Sequence, residues 1–382
     1  MRYLLLLLTA NCSRIPTIEE GPVIPLASQT VCVFLVKWFD HQGRRLPTRD
    51  EVSAHLNSED PTSARSWFSE VSHTEVEVTF HVHEWLASPA SEAEASGGAF
   101  GLGASLNTAV IVRRGFNDDQ RALRSQPLDL SPCGQRFHAV LFHSGFDGCW
   151  YGKDPHGTAW VSRRAINSRV DRVHAQMTFI YEEVGGASLQ RLAVQSVLWG
   201  WTQQIARRGT MIHEWMHTQG LTDMCGPPAR LGHFDLMCQN KGWKGDYIHF
   251  FFGAPHRVML GLSGVRVVDG YTTLRLLAAT GPYQDVVAEL PLDTDTRLLV
   301  EYRTATGLDQ GIPCREGLCG GVVVWRQHLL RGLTIEVANA LQGAAGRLGH
   351  PGDVVEVGPW KIRVQDLTPD EAVVTITQNF SD

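Results

Sequence analysis

The sequence has no strongly basic run: Lys plus Arg total 34 against 40 for Asp plus Glu, a formal charge of −6 over 382 residues. Without a positive footprint for a phosphate backbone, nucleic acid is excluded as an expected partner. No apolar run beyond the N-terminus approaches the roughly 20 residues of a membrane-spanning helix, so no membrane span is expected. Repeats of fixed period are absent, which removes solenoids and propellers. No C-x-x-C pair occurs, which removes structural zinc ribbons. Nor is there a D-x-[DN]-x-[DN]-G loop, so Ca2+, though chemically admissible, has no motif behind it.

What is present begins with 8 cysteines. Cys12, Cys32, Cys133, Cys149, Cys225, Cys238, Cys314 and Cys319 form an even set without metal-ribbon spacing, which favours disulfides in an oxidising compartment. The short-range pairs expected are Cys225–Cys238, Cys314–Cys319 and Cys133–Cys149. The N-terminus carries one positive charge, an apolar core of Leu4 to Leu8, and Thr9-Ala10 where cleavage can fall, so residues 1–10 read as a signal peptide. Sequons at Asn11 and Asn379 fit a secreted glycoprotein. A secreted monomer is the expectation.

A chain that is 43% hydrophobic at this length can bury more than one core. The run VCVFLVKW (31–38) is continuously apolar and suits a central strand. EVEVTFHVHEW (75–85) alternates as a half-buried strand does. Helices are expected in Leu46–Asn57, around Ser66-Trp67-Phe68, and between about Trp201 and Gln219. Further strand signals fall at Ala109–Val112 and Phe137–Phe142. From about Val265 the texture changes to short β-branched runs broken by turn residues: VRVV, TLRLL, DVVAEL, RLLVEYR, GGVVVWR, LTIEV, DVVEV, WKIRV and AVVTIT. The reading is an α+β chain, with a mixed domain over 28–264 and a β-sandwich-like domain over 265–382.

The chemistry lies in TMIHEWMHTQGLTD (210–223). His213 and His217 are one helical turn apart on the same face, so both imidazoles can reach one tetrahedral ion. Glu214 points about 100° away from His213 and can hydrogen-bond a water at that ion as general base. Gly220 is the residue type that ends a helix in the left-handed conformation, and Asp223 then supplies a carboxylate oxygen as third ligand. His233 is the alternative third ligand. With 16 histidines in the chain, H-E-x-x-H is expected by chance roughly 0.03 times, so a coincidental helix is the weaker reading. Zn2+ is the implied cofactor.

H-E-x-x-H-x-x-G-x-x-D resembles the metzincin pattern with Asp223 in place of the third histidine. More closely, the chain resembles the immune inhibitor A family of secreted metallopeptidases, through GTMIHEWMHTQGLTD (209–223), HFDLM (233–237) and PHRVMLGL (255–262). The likeness extends to VFLVKWFD (33–40), SWFSEVSHTEVEV (66–78), LVEYRTATGLDQGIP (299–313) and GGVVVWR (320–326). It implies a zincin-like catalytic domain, one catalytic Zn2+ and endopeptidase activity, with Met237 as a Met-turn forming an apolar floor beneath the metal. The chain departs from the pattern at Met224-Cys225 and at Gln239, where some metzincins carry an oxyanion tyrosine. Tyr247 is the nearest substitute, and His233 and His249 are candidate proton donors.

His81 and His83 share one strand face and could be half of a second metal site. No third ligand accompanies them in sequence, so they read as polar positions on an exposed face. Two rival functions stand beside an endopeptidase: a zinc exopeptidase, and a secreted binding or adhesion protein whose zinc site is vestigial.

Overall fold

The computed structural model describes residues 23–88, 91–92, 94, 129–146, 176–184, 187–198, 205, 208–221, 234–237, 251–279, 286–310, 312, 319–329, 335–337 and 348–379. The segment 1–10 expected to be a signal peptide, Asn11 and the strand expected at Ala109–Val112 lie outside them. Among the described residues, no helix is long and apolar enough to cross a membrane. The chain divides into two compact units at Thr218/Gln219, with Pro22–Ala27 and Phe68–Val76 grouping with the second unit. The change in sequence texture falls later, at Gly264, where a run of strands begins.

In the first unit, β1 (Gln29–Lys37), β2 (Val78–Ala87), β3 (Arg136–Phe146), β4 (Gln176–Val184) and β5 (Ala187–Leu198) form a sheet ordered β2-β1-β3-β5-β4. β1 is parallel to β2 and β3, and β3 to β5, whereas β4 is an antiparallel edge. The continuous apolar run of β1 suits a strand covered on both faces, and Val31 to Leu35 are wholly buried. The helical readings at 46–57 and 66–68 correspond to α1 (Arg49–Asn57) and α2 (Ala64–Val71). Thr48 and Glu51 close a capping box on α1, the Thr48 hydroxyl accepting from Glu51 N and the Glu51 carboxylate from Thr48 N.

β2 does not keep the alternation its sequence suggests. The register on β1 shifts between Val33 and Leu35, which pair with Val82 and Trp85. This bulge turns both Val82 and His83 inward, leaving Glu84 exposed. His83 is therefore buried, a correction to the exposed face expected for it.

The disulfide observed joins Cys32 to Cys133, 101 residues apart, with Cα atoms 5.6 Å from each other. It overturns the expected Cys133–Cys149 pair. Parallel pairing sets Cys32 beside Ala139 of β3, and the turn at Ser131–Cys133 leads straight into that strand. Nearness in sequence does not register such a pairing. Closing so long a loop restrains the unfolded chain, an effect of about 5 kcal/mol on the chain-entropy model. Cys319 is also disulfide-bonded. Cys225, Cys238 and Cys314, which complete the other two expected pairs, lie outside the described residues.

The helix α3 (Arg208–Thr218) starts later than the expected position near Trp201, because Ile205 instead forms an antiparallel bridge with Leu198. In the second unit a short helix, α4 (Ala254–Leu260), precedes β6 (Gly264–Val267), β7 (Thr272–Leu277), β8 (Val286–Pro291), β9 (Thr296–Thr304), β10 (Gly320–His328), β11 (Ile335–Val337), β12 (Val354–Val357), β13 (Trp360–Leu367) and β14 (Glu371–Gln378). Each β-branched run named from the sequence is one of these strands. They form two sheets, β11-β10-β9-β8-β6 and β12-β13-β14-β7. A single core holds Leu298, Val300 and Val324 from the first sheet with Leu274, Ile362 and Val374 from the second. Two sheets over one core is the layering of a sandwich.

Candidate metal centre

α3 is buried along its length from Gly209 to Thr218, although its sequence mixes apolar with polar residues. Met211, Ile212, Trp215 and Met216 are at most 1% exposed and account for the packing. His213, Glu214 and His217, each 7% exposed, are the polar residues such a helix would not bury without a purpose. Their donor atoms, two imidazole nitrogens and a carboxylate oxygen, all lie within 4.8 Å of one another. The two rings stand edge to face, with centroids 4.9 Å apart. Helical spacing produces this grouping directly, since positions one turn apart stack on one face.

The end of the helix is held as firmly as its middle. Gly220 has φ +90°, the left-handed conformation expected of it. The Thr218 hydroxyl donates to Trp215 O at 2.6 Å. Arg191 of β5 donates from Nη1 to Thr218 O at 2.7 Å, bringing a cation to the negative end of the helix dipole. Thus the sheet positions the helix that carries both histidines. Neither Arg191 nor Thr218 had been singled out from the sequence, where nothing local links them.

The remaining sequence candidates fare differently. Asp223, His233, Tyr247 and His249 lie outside the described residues. Met237 is fully buried at a turn in the second unit, a different unit from that of the two histidines. The turn is set by Asp235, which accepts from Met237 N at 2.7 Å and from Gly253 N at 2.7 Å, and pairs with His256 Nδ1 at 2.9 Å. The first of these is an Asx-type turn.

Around Asp235 lies a charged network that the sequence reading missed. Arg303 Nη1 donates to Phe234 O at 2.6 Å, while Nε and Nη2 grip both oxygens of Asp309 at 2.6 Å each. Glu301 accepts from Arg257 at 2.8 Å and from Trp325 Nε1 at 2.6 Å. Arg303, Arg257, Asp235 and Asp309 are fully buried and Glu301 nearly so. Burial opposes the charge on Arg303, but Asp309 and Glu301 outweigh it and hold its pKa above the ordinary value.

A second donor group lies in the first unit, where Cys32 and Cys133 meet His83, all three buried. Burial, aided by the neighbouring His81, pushes the His83 imidazole down to about 4, so the ring is neutral near pH 7. A third polar cluster joins the ends of β1 and β3. Ser144 Oγ accepts from Trp38 N at 2.9 Å and lies 3.0 Å from His41 Nδ1, while His41 Nε2 is 3.5 Å from Glu92. Ser144 is wholly buried, so the cluster ties two strands together rather than presenting a nucleophile.

No family model matches the sequence and no curated protein matches it, so the reading of the metal centre stands on geometry and donor chemistry.

Proposed function

We propose that the chain is a secreted zinc-dependent endopeptidase, with His213 and His217 as zinc ligands, Asp223 as the third ligand and Glu214 as the general base. The observation that carries this reading is the convergence of His213, Glu214 and His217 within 4.8 Å on one buried helix. Two imidazoles with a carboxylate nearby suit zinc better than a hard cation, which prefers an all-oxygen shell. The helix is also fixed at its C-terminal end, as a ligand set built for one geometry requires.

A zinc ion held there would supply Lewis acidity, polarising the peptide carbonyl and lowering the pKa of an attacking water to about 7. Glu214 accepts a proton as the water oxygen bonds to the carbonyl carbon. It holds that proton on its carboxylate and delivers it to the amine nitrogen as the C–N bond breaks. Burial of Glu214 keeps bulk water from competing for the proton. A vestigial site in an adhesion protein has no need of Glu214, so its presence favours catalysis.

The test is one preparation measured for zinc content and for casein cleavage beside Glu214→Gln. Wild type should hold stoichiometric zinc and cleave; the variant should keep zinc and lose roughly 100- to 10,000-fold in rate. Wild type without bound zinc, or a variant that cleaves equally well, would overturn the proposal.

A further inference from the structure

The Cys32–Cys133 disulfide sits against a histidine with nothing to bond. His83 Nε2 is buried and has no hydrogen-bond partner, although the ring is fixed flat on Phe34, 4.9 Å away at 8°. A buried polar atom left unsatisfied opposes folding unless a ligand meets it. Both sulfur atoms and an imidazole nitrogen lie within 4.8 Å of one another, on β1, on β2 and at the entry to β3. The inward turn of His83 at the β2 bulge brings the three together.

We propose that Cys32, Cys133 and His83 form a second metal site, which takes one Zn2+ ion when the disulfide between the two cysteines is reduced. A dithiol supplies two electrons and two protons and is itself oxidised to a disulfide, leaving two protein thiols. Zn2+ then displaces both thiol protons to solvent and takes the two thiolates and the imidazole as ligands. A divalent ion with two thiolates makes a neutral buried unit, whereas a monovalent soft ion would leave a net negative charge in a buried site. Hard cations are disfavoured by sulfur. The Cα separation of 5.6 Å that suits the disulfide also suits two thiolates on one tetrahedral ion, whose sulfur atoms stand roughly 3.7 Å apart. His81, half-buried with its ring centroid 4.7 Å from that of His83, is a side chain that can complete the shell, and water is the alternative. Oxidised, the site is a covalent staple between strands; reduced, it is a zinc clasp at the same place.

The test uses the whole protein, reduced with a water-soluble phosphine and alkylated with iodoacetamide with and without Zn2+, each cysteine being followed by mass spectrometry. Zinc should slow alkylation of Cys32 and Cys133 at least tenfold. His83→Phe, which preserves a ring to stack on Phe34, should abolish that protection while leaving the oxidised protein folded. Zinc titration should find one more ion per chain in the reduced protein than in the oxidised one. Equal alkylation with and without zinc, including through unfolding of the reduced chain, overturns the proposal, as does undiminished protection in His83→Phe. None of these readouts depends on peptide cleavage, so the result stands apart from the fate of the site on α3.

Discussion

Arg303→Met removes the cation at the centre of the network that fixes the Phe234–Met237 turn. In the native protein the guanidinium makes two 2.6 Å bonds to Asp309 and one to Phe234 O. Glu301 would keep Arg257 and Trp325, so it is not stranded. Asp309 is stranded, retaining the Phe251 N–H at 3.0 Å but losing its counter-charge in a fully buried position. Breaking a buried ion pair from one side costs about 3–5 kcal/mol. For a unit of this size that lowers the unfolding midpoint by about 10 °C. Urea melts at pH 7 read the loss, and the double variant Arg303→Met/Asp309→Leu should recover much of it. A cost below about 1 kcal/mol, or a double variant no more stable than the single one, would refute the assignment of this network as a stability determinant.

Gly253→Ala should destabilise by about 2–3 kcal/mol, because a Cβ there would meet Trp325 Cζ2 at 2.5 Å and Asp235 Oδ2 at 3.0 Å, and Glu301 pins that tryptophan; a chemical melt that overlays wild type would show the site can relax. Arg191→Met should weaken zinc binding about tenfold by freeing the end of α3, with unchanged affinity in a chelator competition as the contrary result. Burial chiefly, with Arg191 adding to it, holds His138 down at about 4, as burial does His83. Both rings stay neutral in the folded chain while unfolded histidine protonates near 6.5, so the stability they contribute is full above 6.5 and lost as pH falls to about 4. The metal-free protein should therefore take up up to about two extra protons on unfolding near pH 5, and a pH-independent melt across that window would contradict the burial of both rings.

The features legible in the sequence are those produced by short-range physics. His213, Glu214 and His217 meet because helical periodicity alone puts them together, and Gly220 ends the helix because few other residues adopt its φ of +90°. The strands from β6 to β14 were legible for the same reason, each being a run of β-branched residues between turn formers. Features created by pairing between distant segments were not. Cys133 bonds to Cys32 through a parallel strand alignment, and His83 turns inward at a bulge defined by where Val33 and Leu35 lie on the neighbouring strand.

One class of missed residue runs against alternation. In RLLVEYR, Glu301 and Arg303 share a strand face with Arg297 and Leu299, opposite a face of Leu298, Val300 and Tyr302, so alternation alone would send the charges to water, yet both are buried. A charge so placed has to be paired, because an isolated one buried in a protein core costs several kcal/mol even after relaxation. Asp235 in HFDLM and Asp309 in the GLDQ turn are the complementary charges, lying beside segments of the same apolar character. An acidic partner, Asp309, follows Arg303 six residues on and grips it in the structure. On α3 the buried groups able to hold a metal are His213, Glu214 and His217, and the two clusters separate by donor type. Arg303 and its carboxylates are a cation matched by anions, whereas two imidazoles with a carboxylate are the donor types that zinc takes, which is why the helix and not the strand network is the place to look for a metal.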